Sequence, residues 1–312
     1  MRIVSVNIST KKGTVKHSVP KTQIDRRGIM NDAHAGAWHR QVSMLSSEIV
    51  KEFETVAERK IKPGEFAENI TVSGLDLRSV SVLDRFTSGN VELEVTQIGK
   101  ECHGDECTIF REVGKCVMPK DGIFCRVLQG GALKAGDQLL YKPKTLLIKI
   151  ITLSDRASQG EYKDDSGSRI TELIEEFFAR RRWRQEIRAK ILPDDAARLR
   201  DELEVTRKEG VDIVITTGGT GVGPRDITPD VVAEFIDKEI PGVMEYIRTK
   251  FGATNPNALL SRGIAGTMNK TLIYTLPGSV KAVEEYMSEI LKTMEHLILT
   301  LHDLDIHGKI AL

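Results

Sequence analysis

The feature that most constrains this chain is a change of hydrophobic period near its middle. Up to about residue 142, short β-rich runs alternate with glycine turns: IVSVNIS, NITVSG, VELEVTQIG, GIFCRVLQGG and DQLLY. Such spacing predicts a small sheet or barrel. One helical stretch is expected within it, from Ser43 to Glu58, where Leu45, Ile49, Phe53 and Val56 recur at helical spacing. Beyond residue 146 apolar strands alternate with amphipathic helices. Strands are predicted at Leu146 to Thr152, Ile187 to Leu192, Val211 to Thr217 and Thr271 to Leu276; helices at Thr171 to Arg182, Asp195 to Glu209, Pro229 to Ile236 and Val280 to Leu301. This rhythm predicts a largely parallel sheet with both faces covered. The polar string Tyr141-Lys142-Pro143-Lys144-Thr145 separates the two patterns, so domains are expected at 1–142 and 146–312.

Length agrees with two domains, since 312 residues exceed what one hydrophobic core usually supports. A hydrophobic fraction of 40% beside 29% charged residues excludes a disordered chain. Lys plus Arg (45) equals Asp plus Glu (45), so the overall field gives no sign of a nucleic-acid or membrane-surface partner. The one dense basic run, Arg180 to Arg184 around Trp183, falls at a predicted helix end, where cations suit the dipole and solvent. No apolar run approaches the roughly 20 residues of a membrane span, and MRIVSVNIS lacks a signal core. A cytoplasmic protein is expected. All four cysteines lie between Cys102 and Cys125, which in a reducing compartment makes them thiols or metal ligands rather than disulfides.

In open parallel sheets, ligands sit beyond the carboxyl ends of the strands. Three strand exits there carry unusual residues. The first gives Ser154-Asp155-Arg156-Ala157-Ser158, then Tyr162 and Asp164; the second gives Pro193-Asp194-Asp195; the third gives Thr217-Gly218-Gly219-Thr220-Gly221, then Arg225-Asp226-Ile227-Thr228-Pro229. Consecutive glycines let main-chain N–H groups approach an anion, and a following helix adds its positive end. Thr228 as N-cap with Pro229 in first helical position is the expected start of that helix. The loop is neither a Walker loop nor Gly-x-Gly-x-x-Gly, and alone it reads equally well as strand-to-helix punctuation. Asp226 beside a phosphate-type loop creates a conflict of charge that a divalent cation resolves. Mg²⁺ takes one or two carboxylates plus phosphate oxygens, and Asp194 could supply the second. Arg156 and Arg225 could offset phosphate charge. Singly, Asp226 reads as an Asx turn and Asp194 as a helix cap. Ser261-Arg262 and Pro277-Gly278-Ser279 fall at the same edge, the latter again exposing N–H groups at a helix start.

Taken in order, SDRAS, LPDD, TTGGTGVGPRDITPD, IPGV, LSRGIAG and LPGSVKAV resemble the MogA/MoaB family and the G domain of gephyrin over nearly the whole second half. The resemblance implies a three-layer α/β fold, commonly trimeric, that binds molybdopterin and transfers AMP to it from ATP with Mg²⁺. It assigns essential roles to Asp194 and Asp226. A rival reading is a MoaB-like carrier that binds pterin without turnover; a nucleotide or phosphosugar enzyme of another family is the third.

In the first half, Cys102-His103 follows a predicted strand, with Cys107, Cys116 and Cys125 after it. No Cys-x-x-Cys pair supports zinc, whereas Cys102 could serve as a reactive thiol or soft-metal ligand. Cys125 reads as a small core residue. The stretch from Asp32 to Gln41 gathers His34, His39 and Arg40 with an acid and glycine, which suits either an anion-tolerant pocket or a structural loop. DAHAGAWHRQVS, FAENITVSGLDL, VTQIGKECH and the closing GIFCRVLQGGALKAGDQLL resemble the MOSC domain. That implies a β-barrel binding molybdenum cofactor or handling sulfur through a cysteine, with Cys102 at the matching position and other molybdenum-cofactor enzymes as possible partners.

Overall fold

A computed structural model describes residues 1–100 and 116–304. The chain divides into two compact units, one built on Met1–Lys144 and the other on Thr145–Asp303.

The first unit is a curled sheet of eight strands in the order Leu140–Lys142, Arg85–Ser88, Val91–Ile98, Ile123–Gln129, Val42–Ser46, Ile70–Ser73, Arg2–Ile8 and His17–Val19. Curling brings the two ends of this order together. Ile3 N–H donates to Asp137 O and Gly136 N–H to Ile3 O, and Arg2 bridges to Gln138. Inside lies an apolar core that includes Val6, Met44, Ile70, Phe86, Leu93 and Ile123. A small second sheet, Gly131–Lys134, Lys21–Asp25 and Gly28–Ile29, lies beside it in the unit.

The expected helix from Ser43 begins later, because Val42–Ser46 is a fully buried strand and the helix runs Ser47–Ala57. Leu45 and Ile49 share a four-residue spacing without sharing an element. Ser46 marks the true boundary, its hydroxyl accepting from Ile49 N–H, and Val56 faces solvent rather than the core.

The second unit holds a six-stranded sheet in the order Arg184–Leu192, Thr145–Leu153, Ile213–Thr217, Thr271–Leu276, Ala265–Met268 and Lys238–Glu239. The first four strands are mutually parallel; the fifth runs antiparallel to the fourth, and the sixth antiparallel to the fifth. Buried side chains alternate between faces as the pleat requires. Ile151, Val214 and Ile273 pack with Leu199 and Leu203 of the helix Ala196–Glu209 and with Val231 and Val232 of Thr228–Ala233. Against the other face lie the helices Asp165–Ala179 and Val280–Leu301, which also pack on each other. No helix among the described residues is long and apolar enough to cross a membrane.

Three details depart from the sequence reading. The helix expected from Thr171 starts at Asp165, where Asp164 accepts from Gly167 N–H at 2.8 Å and from the Thr152 hydroxyl at 2.5 Å. Trp183 is not part of a solvated helix end: it is buried against Phe178, while Arg181 lies over the Phe177 ring and pairs with Glu295. No element is expected from the sequence between Ile236 and Thr271, yet Lys238–Glu239 pairs with Ala265–Met268 and a further helix runs Pro241–Gly252.

The double role of Asp164, capping a helix and tying it to the strand before it, predicts that Asp164→Ala costs about 1–2 kcal/mol. Asp165→Ala, at an exposed first-turn position, should cost less than about 1 kcal/mol. Thermal denaturation of both variants checks the ranking.

Candidate active site

Three parallel strands end side by side, and the geometry of their exits is fixed by close backbone packing. Gly218 follows the central strand with φ +99°, and a Cβ on it would collide with Leu153 O of the neighbouring strand. Its N–H donates to Leu276 O on the other side at 2.9 Å. Gly278 approaches so closely that its own Cβ would stand 3.2 Å from Gly218 Cα. Only glycine fits this crossing.

Around it opens a cleft of about 600 Å³. Ser154, Asp155 and Arg156 line it from the first strand exit and Asp194 from the second; Thr217, Gly218, Gly219, Thr220, Gly221, Arg225 and Asp226 line it from the third. Ser261, Pro277, Gly278 and Ser279 complete the part anticipated from sequence. Among the described residues the N–H groups of Gly219, Thr220 and Gly221 have no protein acceptor, as expected of an anion cradle. The Gly218 amide, by contrast, is spent on Leu276, so this residue contributes shape and not a donor.

Both candidate carboxylates face this loop. A Cβ on Gly219 would lie 3.7 Å from Asp194 Oδ1, and one on Gly221 would lie 2.7 Å from Asp226 Oδ2. Asp194 is not the cap of its helix. That task falls to Asp195, whose carboxylate accepts from Arg198 N–H at 2.9 Å. Asp194 and Asp155 instead exchange hydrogen bonds, each backbone N–H donating to the other's carboxylate at 3.1 and 3.2 Å. Burial raises the Asp194 pKa above the ordinary carboxylate value, opposed by the Asp155 N–H and Arg225 and reinforced by the charges of Asp155 and Asp226. Asp226 Oδ2 accepts from Gly223 N–H at 2.8 Å. Arg225 pairs with Asp155, and Arg156 lies over the Tyr162 ring at 5.2 Å. Three aspartates and two arginines thus share the strand-exit side of one cleft.

Two anticipated contacts are framework instead. Thr228 is the first residue of its helix rather than the N-cap; it is fully buried and its hydroxyl donates to Gly218 O at 2.9 Å. Arg262 grips the loop from behind, donating to Gly221 O at 2.7 Å and to Asp226 O, and pairing with Asp230. Neither lines the cleft. Conversely, Asn255, Asn257 and Leu260, around the short 3-10 turn Pro256–Leu260, and Glu285 and Tyr286 on the last helix do line it. An Asn-Pro turn signal marks the first group in the sequence. Nothing local distinguishes Tyr286 from core.

In the first unit, Asp32, His34, His39 and Arg40 fall on one loop. Lys16 joins them from outside the anticipated set: its Nζ lies 2.5 Å from Asp32 Oδ2 and 3.0 Å from His34 Nδ1. Burial lowers the Lys16 pKa, with Asp32 opposing the shift. Thr96 donates to His39 O at 2.7 Å, and Arg40 lies over Trp38. Cys125 is fully buried and burial pushes its thiol far above the ordinary value, consistent with a core role. Cys102 lies outside the described residues.

Residues 149–296 match the family model described as a probable molybdopterin binding domain, and residues 31–140 match the MOSC domain. A protein named molybdopterin adenylyltransferase from Helicobacter pylori is 34% identical over 156 residues, which are 50% of this chain and 87% of that protein. The chain belongs to the MogA/MoaB family, joined here to a MOSC domain. Molybdenum cofactor biosynthesis protein B of Bacillus cereus is 35% identical over 164 residues, covering 51% of this chain and 93% of the relative. Molybdenum cofactor synthesis protein cinnamon of Drosophila melanogaster is 35% identical over 157 residues, and there the match spans only 25% of the relative's length.

The crossing at Gly218 makes a sharp prediction for this MogA/MoaB-type unit. Gly218→Ala should cost about 2–4 kcal/mol through strain and backbone collision. Gly210→Ala, at φ +66° with open space around it, should cost only about 1 kcal/mol. Urea unfolding of the two variants would measure the difference, and equal losses would refute the packing argument.

Proposed function

We propose that the second unit is a molybdopterin adenylyltransferase of molybdenum-cofactor biosynthesis, using ATP and Mg²⁺. The observation that carries this reading is the convergence of Asp194 and Asp226 on a loop whose Gly219, Thr220 and Gly221 amides lack protein acceptors. A pterin carrier without turnover has no need of two acids beside a phosphate cradle.

The terminal phosphate of molybdopterin attacks the α-phosphorus of ATP, a new phosphoanhydride bond forms, and the bond to pyrophosphate breaks. A phosphate nucleophile is already ionised, so neither aspartate is required as a base. The protein's contribution is positioning and preorganised charge. The amides hold phosphoryl oxygens, and Arg225 and Arg156 offset their charge. Asp194 and Asp226 fit Mg²⁺: burial and neighbouring carboxylates make an uncompensated Asp194 costly, which a cation would relieve, and Asp226 stands beside the same loop. Mg²⁺ takes one or two carboxylates and completes its shell with phosphate oxygens and water. When bound, Mg²⁺ supplies neutralisation of the phosphate charge. Asn255, Asn257 and Tyr286 line the same cleft and are available to the organic part of either substrate.

For the first unit, the MOSC match supports binding of molybdenum cofactor or sulfur handling, with Cys102 as the working thiol and His34, His39 and Arg40 as its polar surroundings. The curled sheet is read as the MOSC barrel, closed where Met1–Ile3 meets 136–139. A cytoplasmic trimer that meets other molybdenum-cofactor enzymes completes the proposal.

Incubation of the full chain with molybdopterin, ATP and Mg²⁺ should give adenylylated pterin and pyrophosphate. Asp226→Asn should lower turnover by about 10³-fold or more while molybdopterin affinity stays within a few-fold. Full residual turnover rules out the assigned role; pterin binding without any pyrophosphate release establishes the carrier instead.

A further inference from the structure

The strand Arg184–Leu192 ends the six-stranded sheet of the second unit and pairs with Thr145–Leu153 alone, over nine consecutive residues with no bulge. Every other terminal strand of the three sheets is only two to four residues long. Folded chains blunt their sheet edges with short strands, prolines, bulges or outward charges, because an open edge recruits another strand. At the opposite end of this sheet Lys238–Glu239 has two residues, and Pro241 follows closely. Arg184–Leu192 has neither proline nor bulge, and its charges are engaged within the chain: Lys190 pairs with Glu202, and Arg188 with Glu186 and Glu209.

The direction of the free backbone groups follows from the bonds on the inner side. Leu147 N–H donates to the Asp212 carboxylate and Leu147 O accepts from Asp212 N–H, so odd-numbered residues of Thr145–Leu153 face Ile213–Thr217. Even-numbered ones face Arg184–Leu192, and Ser154 N–H continues that ladder by donating to Leu192 O at 2.9 Å. With Ile148 opposite Ile187 in a parallel register, Gln185, Ile187, Ala189 and Ile191 must turn both N–H and C=O outward. None of these groups has a partner among the described residues. Ala189 and Ile191 are exposed, the latter by 40%.

We propose that this edge pairs with the same edge of a second copy of the chain, antiparallel about a two-fold axis at Arg188, so that two six-stranded sheets become one. Gln185 then exchanges both hydrogen bonds with Ile191 of the second copy, and Ile187 with its Ala189, which satisfies every outward group. In the closer, non-hydrogen-bonded positions between them, Glu186 meets Lys190 of the second copy, an opposite-charge pair made twice. Arg188 meets itself on the axis, where Glu186 at 2.8 Å and Glu209 at 3.7 Å already balance it in each chain. On the other face Ile187 and Ala189 of both copies join in one apolar strip. Moving the axis by one residue loses this fit: at Ile187 it sets Arg184 opposite Lys190, and at Ala189 it sets Arg188 opposite Lys190. The edge is thus complementary in charge to itself. Such an isologous contact doubles whatever assembly the rest of the surface makes, and it does not rest on the adenylyl-transfer reading.

The mass of the full chain in solution should correspond to an even number of copies and fall by half in Ala189→Pro. Proline there removes an outward N–H and no bond to Thr145–Leu153, so self-association should weaken at least about tenfold while circular dichroism shows the fold retained. Arg188→Cys sets a thiol against its own copy on the axis, at a spacing a disulfide spans, and should give an interchain disulfide on mild oxidation. Ile187→Cys, opposite Ala189, should not, and the unaltered chain under the same oxidant is the control. The disulfide decides the matter should Ala189→Pro fail to fold. An unaltered chain without an even assembly, or an unchanged mass in folded Ala189→Pro, overturns the self-pairing and leaves the edge to another protein. Disulfides as frequent in Ile187→Cys as in Arg188→Cys, or absent from both, overturn it as well.

Discussion

The chemistry available to the second unit depends on one backbone crossing. Gly218 is packed against Leu153 O, bonded to Leu276 O and approached by Gly278, so three adjacent strand exits are locked to one another through main chain. Side chains could not hold that registry, because each would keep rotamer freedom that the glycine contact lacks. Once the crossing is fixed, the next three amides are left with no acceptor among the described residues. Thr228 and Arg262 then hold the outer turn of the loop, the first through Gly218 O and the second through Gly221 O and Asp226 O. The support of the loop is thus made of backbone and buried polar contacts, while the Gly219, Thr220 and Gly221 amides are left without a protein acceptor among the described residues.

Electrostatics explains why the same edge also carries acids. Asp155, Asp194 and Asp226 would repel a nucleotide if left unpaired, and burial makes the Asp194 charge costly in its own right. Arg225 answers part of this demand by pairing with Asp155. In the proposed reaction a phosphate entering the loop would compete for that arginine, and the acid so released would favour a cation. Nucleotide and metal would then support each other's binding, while either alone would meet an unbalanced field.

What could be read from sequence follows from how local each signal is. The long helix Val280–Leu301 and the buried strands were legible because period and apolarity are properties of neighbouring residues. Ser43–Ser46 was misread because a continuously buried strand carries no alternation, and Leu45 happened to fall four residues before Ile49. The early turns of Asp165–Ala179 were hidden by Ser166, Gly167 and Ser168, which look like loop until Asp164 is seen to cap them. At the cleft, the acid and glycine motifs stand at strand exits and announce themselves. Asn257 and Tyr286 reach the same space from turns and helices far along the chain, and only tertiary packing reveals that. Lys16 is the clearest case in the first unit: a lone lysine between two strands has no sequence signature of burial.

Main-chain amides suit the proposed reaction for a physical reason. Those of Gly219–Gly221 carry partial charges, lose no side-chain entropy on binding and are spaced by the fold alone, so they fit a phosphate whose position must be reproducible for a displacement. Charged side chains on long stems would hold the same group with less geometric precision, because each keeps rotamer freedom that a backbone amide lacks.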